Sequence, residues 1–228
     1  MKVAIQASPL VENGTGPAMD ANLTASVAAF ASRYHPEYFA LGVEVNRFAE
    51  RDPSRFDAFV AWYASAYDAV KAAAPPTKVF VTFQYEWMEG HRGGLFGGNE
   101  NATPQWSLYD RFAKLDLAAF TTYPGLVTPD PANASADWYA RLATLGRTVA
   151  ITETAHFADS PAPGWESSPD EQARYASWLL ARARTLSPEF VVWLHLYDQP
   201  SAPVPFQHMG LLDANGTARP ARDTWAAG

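Results

Sequence analysis

The sequence predicts an α/β fold in which parallel strands alternate with helices, and three observations support that prediction. Strand-like and helix-like segments follow one another along most of the chain. Two short strand-like segments end on a glutamate, at Glu44 and at Glu153, and a third predicted strand ends at Glu86. The connections after the predicted strands are long and those before them are short, an imbalance that marks one end of the strands as the functional face.

Apolar periodicity places the elements in chain order. The predicted strands are Lys2–Ala7, Tyr38–Glu44, Lys78–Glu86, Leu117–Tyr123, Arg147–Glu153 and Phe190–Tyr197. The predicted helices lie within Asp20–Tyr34, at Pro53–Ala74, at Pro104–Leu115, near Ala136–Leu145, at Pro169–Thr185 and around Pro220–Ala227. Because a helix lies between each strand and the next, we expect the strands to run parallel.

Three helix starts carry a specific signal. Asp52-Pro53, Thr103-Pro104 and Ser168-Pro169 each place a capping side chain directly before a proline. Proline suits the first helical position because the N–H that it lacks would have no partner there. After the first of these prolines, apolar residues recur at intervals of three and four, which predicts one buried helix face formed by Phe56, Phe59, Val60, Tyr63, Tyr67 and Val70.

Length and composition predict a single domain over residues 1–228, since 48% of the residues are hydrophobic. The net charge of −7 and the lack of a basic run make nucleic acid and anionic membranes poor partners. There is no cysteine and the histidines lack metal-ligand spacing, so we expect no metal or other cofactor. No apolar run reaches the length of a membrane span and no signal peptide is recognised, so export would require a segment before Met1.

The two strand-end glutamates are badly placed for packing and well placed for chemistry. Parallel α/β folds build their sites at the carboxyl ends of strands. A pair of carboxyls there suits acid/base or nucleophilic work on a neutral substrate such as a sugar. Alternation along the strands also groups Thr82, Gln84 and Glu86 on one face of the third strand, and Trp193 with His195 on one face of the last.

Five short motifs together resemble those of clan A glycoside hydrolases, in order and in spacing. They are Gly42-Val43-Glu44-Val45-Asn46, Phe120-Thr121-Thr122-Tyr123-Pro124, Ile151-Thr152-Glu153-Thr154, Val192-Trp193, and Gly210-Leu211-Leu212-Asp213 with Arg219-Pro220-Ala221 and Trp225. That clan comprises retaining β-glycosidases built on a (β/α)8 barrel. The resemblance implies that Glu44 is the acid/base and Glu153 the nucleophile. It also implies that Tyr123 hydrogen-bonds the nucleophile and that Trp193 is the aromatic floor under the sugar.

Two departures from the clan's pattern affect this prediction. Val43 stands where the clan usually has the asparagine that holds the sugar 2-hydroxyl, and Asn46 is the candidate substitute. If Lys2–Ala7 corresponds to the clan's third strand, the chain holds strands three to eight. The predicted fold is then an incomplete (β/α) TIM-type barrel with about six parallel strands. Unless the chain is a fragment of a longer gene, its two open strand edges need a cover, either a homodimer or loops and side chains.

Several of these residues have alternative interpretations. Each strand-end glutamate could simply begin a solvated loop, and Glu86 could bind substrate or form a salt bridge at the rim. Trp193 is either the sugar floor or barrel core, while Gln84 and His195 are candidates for hydrogen bonds in the pocket. The predicted function is retaining hydrolysis of β-linked oligo- or polysaccharides. The alternative is a catalytically inactive or carbohydrate-binding remnant of such an enzyme.

Overall fold

A computed structural model describes residues 3–10, 16–130 and 133–228. Its strands are β1 (Ala4–Gln6), β2 (Tyr38–Ala40), β3 (Lys78–Phe80), β4 (Thr82–Gln84), β5 (Ala118–Thr122), β6 (Val149–Thr154) and β7 (Val191–Trp193). Its α-helices are α1 (Ala21–Tyr34), α2 (Asn46–Arg51), α3 (Pro53–Ala73), α4 (Tyr85–Glu89), α5 (Trp106–Tyr109), α6 (Pro169–Leu186) and α7 (Pro220–Ala226). The predicted start of the first strand, at Lys2, lies outside the described residues.

All six predicted strands have a counterpart, since β3 and β4 are two parts of one strand interrupted at Val81. In the first sheet the order is β1-β2-β3, and both pairs are parallel. The order in the second sheet is β4-β5-β6-β7, in which Ile151 lies opposite Val191 in the parallel β6–β7 pair. Strands and helices alternate along the chain as an incomplete TIM-type barrel requires, which confirms the predicted fold class.

The predicted strand that ends at Glu44 continues past β2 as a hydrogen-bonded extension. The Thr82 N–H donates to the Gly42 carbonyl at 2.9 Å, and the Val45 N–H donates to the Thr82 carbonyl at 3.0 Å. A Cβ atom on residue 42 would come within 2.6 Å of the buried Phe59 ring, so glycine is required for this close approach. The extension brings the Glu44 backbone beside the start of β4.

Two of the three predicted helix starts are confirmed. The Asp52 side chain accepts a hydrogen bond from the backbone N–H of Arg55 at 3.0 Å. The Ser168 hydroxyl accepts one from the backbone N–H of Glu171 at 3.2 Å. Each bond satisfies a donor that has no partner within the first turn, so these caps fix where α3 and α6 begin.

The predicted helix over Pro104–Leu115 is wrong in extent, because only Trp106–Tyr109 is α-helical. The residue before that turn, Gln105, donates its backbone N–H to the Met88 carbonyl at 2.8 Å. Its side-chain amide donates to Glu50 at 2.9 Å. These tertiary contacts hold the segment in a non-helical path and override the capping signal before Pro104.

Two other predicted elements also differ from the structure. The third strand ends at Gln84 rather than at Glu86, because the Gln84 amide oxygen accepts the N–H of Trp87 at 2.7 Å and α4 begins there. In place of a helix near Ala136–Leu145 there is a short 3-10 turn, Ala140–Thr144. Within that turn Leu142 is buried, and the larger apolar face that would stabilise a longer helix is lacking in these five residues.

The described residues fall into two compact units, and the expectation of a single domain remains a prediction. One unit lies within Met1–Glu89 and Pro104–Phe120, and the other within Gly90–Thr103 and Thr121–Gly228. The core of the first unit buries the predicted apolar face of α3, including Phe56, Phe59, Tyr63 and Val70. The core of the second buries Tyr175, Ala176 and Leu179 of α6. Among the helices of the described ranges, none is long and apolar enough to cross a membrane.

Candidate active site

Glu153 lies at the carboxyl end of β6, the position at which barrel folds place their chemistry. Its Oε2 accepts a hydrogen bond from the Tyr123 hydroxyl at 3.0 Å. Tyr123 directly follows β5 and is buried. The structure thus brings the predicted nucleophile and the predicted tyrosine together. The bond holds one carboxylate oxygen of Glu153 in a defined position.

Phe206 contacts this pair through the tyrosine. Its ring packs edge-to-face on the ring of Tyr123, with centroids 5.5 Å apart and planes at 88°. It begins a 3-10 turn, Phe206–His208, in the loop after β7, and its side chain is partly exposed. Sequence reasoning missed Phe206 because the loop has no periodic pattern. The sequence signal that could have indicated Phe206 is an aromatic residue in a long loop at the functional face.

Trp193, the predicted sugar floor, is packed within the protein. It is 7% exposed, and its indole N–H donates to the Met209 carbonyl at 2.8 Å. Its ring centroid lies 5.3 Å from that of Trp225 and 6.0 Å from that of Tyr175. These contacts favour the core alternative, since a ring so enclosed has no open face for a sugar. Two residues further on, burial lowers the pKa of His195.

Glu44, the predicted acid/base, lies in a turn between β2 and α2. Its φ of 47° is in the left-handed region, which costs a residue with a side chain about 1–2 kcal/mol. The turn is held because the Glu44 N–H donates to Thr82 Oγ1 at 2.9 Å. The side chain is 18% exposed, so solvent reaches the carboxylate. A strained backbone that is held by its neighbours is a common feature of functional sites.

Arg47 holds the Glu44 side chain and was not predicted. Its Nη1 donates to Glu44 Oε2 at 2.8 Å, and its guanidinium lies over the Trp87 ring at 5.4 Å from the centroid. An ion pair with this exposure contributes about 1 kcal/mol at most, so its main effect is on geometry. The spacing of three residues between Glu44 and Arg47 would have indicated this ion pair if a helix had been predicted there. However, the strong start signal at Asp52-Pro53 concealed the short helix before it.

Asn46, Gln84 and Glu86 form a fully buried polar network. The Asn46 amide accepts from the Gln84 N–H at 2.8 Å and donates to the Gln84 carbonyl and to Gln105 Oε1, both at 3.1 Å. The Gln84 amide in turn donates to Glu86 Oε2 at 2.5 Å. Asn46 therefore ties α2 to β4, and this geometry does not favour a sugar contact for it. The Glu86 carboxylate is buried beside Gln84 and does not lie at an exposed rim.

Asp198 anchors the loop after β7. Its buried carboxylate accepts hydrogen bonds from Arg219 Nη1 at 2.6 Å, from Arg219 Nη2 at 2.7 Å and from the Gly210 N–H at 3.0 Å. It also lies 3.3 Å from Nδ1 of His208. Burial alone would raise the pKa of Asp198, but the bonds from Arg219 and Gly210 outweigh it and hold the pKa below its usual value. The loop that carries Phe206 thus rests on a bidentate ion pair.

Within residues 3–10, 16–130 and 133–228, no group of three or more histidine, cysteine or acidic side chains is arranged to hold a metal ion.

No protein-family model matches the sequence, and no curated protein matches it. Solved structures match its fold. The GH53 catalytic domain of Ignisphaera aggregans is 17% identical with a TM-score of 0.60, over 89% of this chain and 64% of that chain. A GH5_18 protein from Bifidobacterium longum, in complex with Manb1-4GlcNAc, is 16% identical with a TM-score of 0.59, over 96% and 54%. The β-glucuronidase of Bacteroides uniformis is 15% identical with a TM-score of 0.67, over 96% and 27%.

These similarities show that the chain has the fold of glycoside hydrolases, as its motifs predicted. The chain spans between 27% and 64% of the length of the three structures. At this level of identity the likeness concerns the fold alone.

Proposed function

We propose that this chain is a retaining β-glycosidase that acts on a β-linked oligo- or polysaccharide. Glu153 is the nucleophile and Glu44 the acid/base. The proposal depends chiefly on the hydrogen bond from Tyr123 to Glu153 at the carboxyl end of β6, in a fold that glycoside hydrolases share. The disaccharide bound by the Bifidobacterium longum protein supports a saccharide as the substrate class.

The proposed reaction has two displacements at the anomeric carbon. In the first, the Glu153 carboxylate attacks that carbon while the glycosidic bond breaks, and the leaving oxygen takes the proton of the Glu44 carboxyl. In the second, the Glu44 carboxylate removes a proton from water, the water oxygen attacks the same carbon, and the glycosyl ester to Glu153 breaks. Two inversions leave the product with the configuration of the substrate.

The neighbours of each glutamate suit these roles. The Tyr123 hydroxyl donates a hydrogen bond to the Glu153 carboxylate. This bond orients the carboxylate both when it attacks the anomeric carbon and when it later leaves. Arg47 Nη1 lies 2.8 Å from Glu44 Oε2 and holds the direction of that side chain. Glu44 follows β2 and Glu153 lies at the carboxyl end of β6. The carboxyl ends of such strands are where barrel enzymes place catalytic groups.

The proposal is tested by hydrolysis of a panel of 4-nitrophenyl β-glycosides together with β-glucan, mannan, galactan and xylan. We expect the unmodified chain to hydrolyse at least one of them and Glu153→Ala to lose activity by a factor on the order of 10⁴ or more. Azide should restore turnover of the aryl glycoside and give a glycosyl azide of inverted configuration. Glu37→Ala is the matched control, because Glu37 is exposed and precedes β2 rather than following it. Full activity in Glu153→Ala would overturn the proposal.

An inactive carbohydrate-binding remnant is the second candidate, and one observation favours it. Val43 precedes Glu44, and the amide of Asn46 is bonded within the protein, so the clan's contact to the sugar 2-hydroxyl has no equivalent in these two residues. Glycan binding measured by calorimetry, with no hydrolysis of any member of the panel, would support the remnant over the enzyme.

A further inference from the structure

We infer that Phe206, with the pocket beside it, forms an aromatic subsite for the sugar that binds at Glu153. The inference rests on the proposed function, because it names the group that holds the sugar at that site. It starts from the position of Trp193, whose ring is enclosed by Trp225 and Tyr175 and whose N–H is bonded to a backbone carbonyl. A pyranose that stacks on a side chain needs a partly open aromatic face, which Trp193 does not offer.

Phe206 has the required exposure and position. It is partly exposed, and its ring lies 5.5 Å from that of Tyr123, edge to face. The hydroxyl of Tyr123 bonds to Glu153 at 3.0 Å. Phe206 is therefore separated from the reacting carboxylate by a single aromatic residue. A sugar whose anomeric carbon meets Glu153 has the Phe206 ring within reach of its apolar face.

The backbone around Phe206 is held from several directions. The Phe206 N–H donates to the Pro203 carbonyl at 2.8 Å, and the Ala158 N–H donates to the His208 carbonyl at 2.8 Å. The second bond ties the loop after β7 to the loop after β6. The ion pair between Asp198 and Arg219 anchors the same loop. A loop whose backbone is held in this way loses little conformational entropy when a ligand binds, which suits a stacking platform.

A pocket of about 240 Å³ lies between the same two loops. Its lining includes Pro205 and Gln207, the residues on either side of Phe206 in the chain. Its polar groups come from Asp159, Ser160, Gln207 and His208. Hydroxyl, amide and carboxylate groups are the usual partners of sugar hydroxyls, whereas the pocket holds no cluster of basic side chains that would select a phosphate or a carboxylate. Its chemistry therefore suits a neutral sugar unit.

The test compares Phe206→Ala and Phe206→Leu with Phe206→Trp on the panel member that the unmodified chain hydrolyses fastest. Removing the aromatic face should raise KM by about five- to tenfold while kcat changes less than twofold. Leucine keeps most of the apolar volume without the ring face, so Phe206→Leu should raise KM as Phe206→Ala does. Because leucine fills the space that alanine leaves empty, a rise in KM in Phe206→Leu is not explained by a folding defect. Tryptophan should keep KM near the original value. Tyr34→Ala, which removes an exposed aromatic from α1, is the control and should change neither constant.

Two results would overturn the inference while leaving the proposed function in place. One is an unchanged KM in both Phe206→Ala and Phe206→Leu. The other is a loss confined to kcat, which would mean that Phe206 only supports Tyr123. If the unmodified chain hydrolyses nothing, the proposed function fails, and calorimetry with the same glycans then tests the subsite. Weaker binding by Phe206→Leu supports it, whereas equal binding, or no binding by the unmodified chain, contradicts it.

Discussion

Glu44 combines a costly backbone conformation with a restrained side chain. A φ of 47° is unfavourable for glutamate, yet the bond from its N–H to Thr82 and the ion pair with Arg47 hold it. Proteins retain such strain where the direction of one side chain matters. In the proposed reaction that side chain delivers a proton to the leaving oxygen, so its function can be separated from that of Glu153 by the choice of leaving group.

We predict that Glu44→Gln slows hydrolysis according to how much the leaving group needs a proton. For a phenyl β-glycoside, kcat/KM should fall by about 10²–10⁴, the usual contribution of general acid catalysis. For a 2,4-dinitrophenyl β-glycoside, whose leaving group departs without a proton, the first displacement should be nearly unchanged. Burst kinetics with the two substrates measure this difference. Equal losses for both substrates would rule out the acid role of Glu44.

His156 is a buried titratable group outside the proposed reaction. It is fully buried, and neither ring nitrogen has a hydrogen-bond partner among the described residues. Its Nε2 lies 3.8 Å from Oε1 of Glu171. Burial lowers the pKa of His156 to about 4, while the charge of Asp130 acts in the opposite direction and that of Arg174 adds to the lowering. Burial, with the charge of Asp130, raises the pKa of Glu171.

The free energy of unfolding should therefore fall on acidification. Because the pKa of His156 lies below the ordinary histidine value of 6.5, the unfolded chain binds more protons between pH 6.5 and about 4. His156 should remove about 3 kcal/mol of stability across that interval and have no effect above it. Glu171 acts in the opposite direction, so the comparison that isolates His156 is urea unfolding of the unmodified chain and of His156→Leu at several pH values. Parallel pH profiles for the two proteins would contradict the prediction.

At the scale of elements, the segment from the end of β7 to α7 depends on one buried ion pair. Arg219 directly precedes α7, and Asp198 lies near the start of the loop. We predict that Arg219→Met lowers the free energy of unfolding by about 3–5 kcal/mol, because it leaves the Asp198 carboxylate buried without its cation. The double variant Asp198→Asn with Arg219→Met should lose less. Chemical unfolding of both proteins checks this, and a loss below about 1 kcal/mol in the single variant would show that the pair is dispensable.

The elements that could be predicted from the sequence are those with local signals. Asp52 and Ser168 cap α3 and α6 as their spacing before proline indicated. The segment after Thr103 carries the same signal, but the tertiary bonds of Gln105 override it. Whether Trp193 faces the core or the sugar could not be predicted. Alternation along a strand shows which residues share a face, but it does not show whether that face meets the helices or the interior. Tyr123 and Glu153 were found because each directly follows or ends a strand.

At the scale of the whole molecule, the terminal strands of the two sheets carry exposed apolar residues. β1 is first in its sheet order and β7 is last in the other. Val3, next to β1, is 43% exposed, and Val192, within β7, is 39% exposed. Exposed apolar side chains on a terminal strand favour pairing with another chain. The homodimer expected from the sequence therefore remains a prediction with a specific surface.

We predict that the chain self-associates through these edges and that Val192→Lys weakens the association. A lysine on an edge strand opposes pairing because its charge would have to be desolvated. Size-exclusion chromatography with light scattering over a range of concentrations measures the effect, and Val204→Lys, which changes an exposed loop valine, is the control. An unmodified chain that stays monomeric at every concentration would contradict the prediction.

In the proposed reaction Glu153 forms a covalent bond to the sugar. The most direct measurement is mass spectrometry of the intact chain and of its peptides after incubation with a 2-deoxy-2-fluoro β-glycosyl fluoride of the sugar that the hydrolysis panel identifies. We expect one adduct per chain, on the peptide that contains Glu153, and none on Glu153→Gln. An adduct on Glu44 or Glu86, or steady hydrolysis of the panel substrate with no adduct and an inverted product, would contradict it.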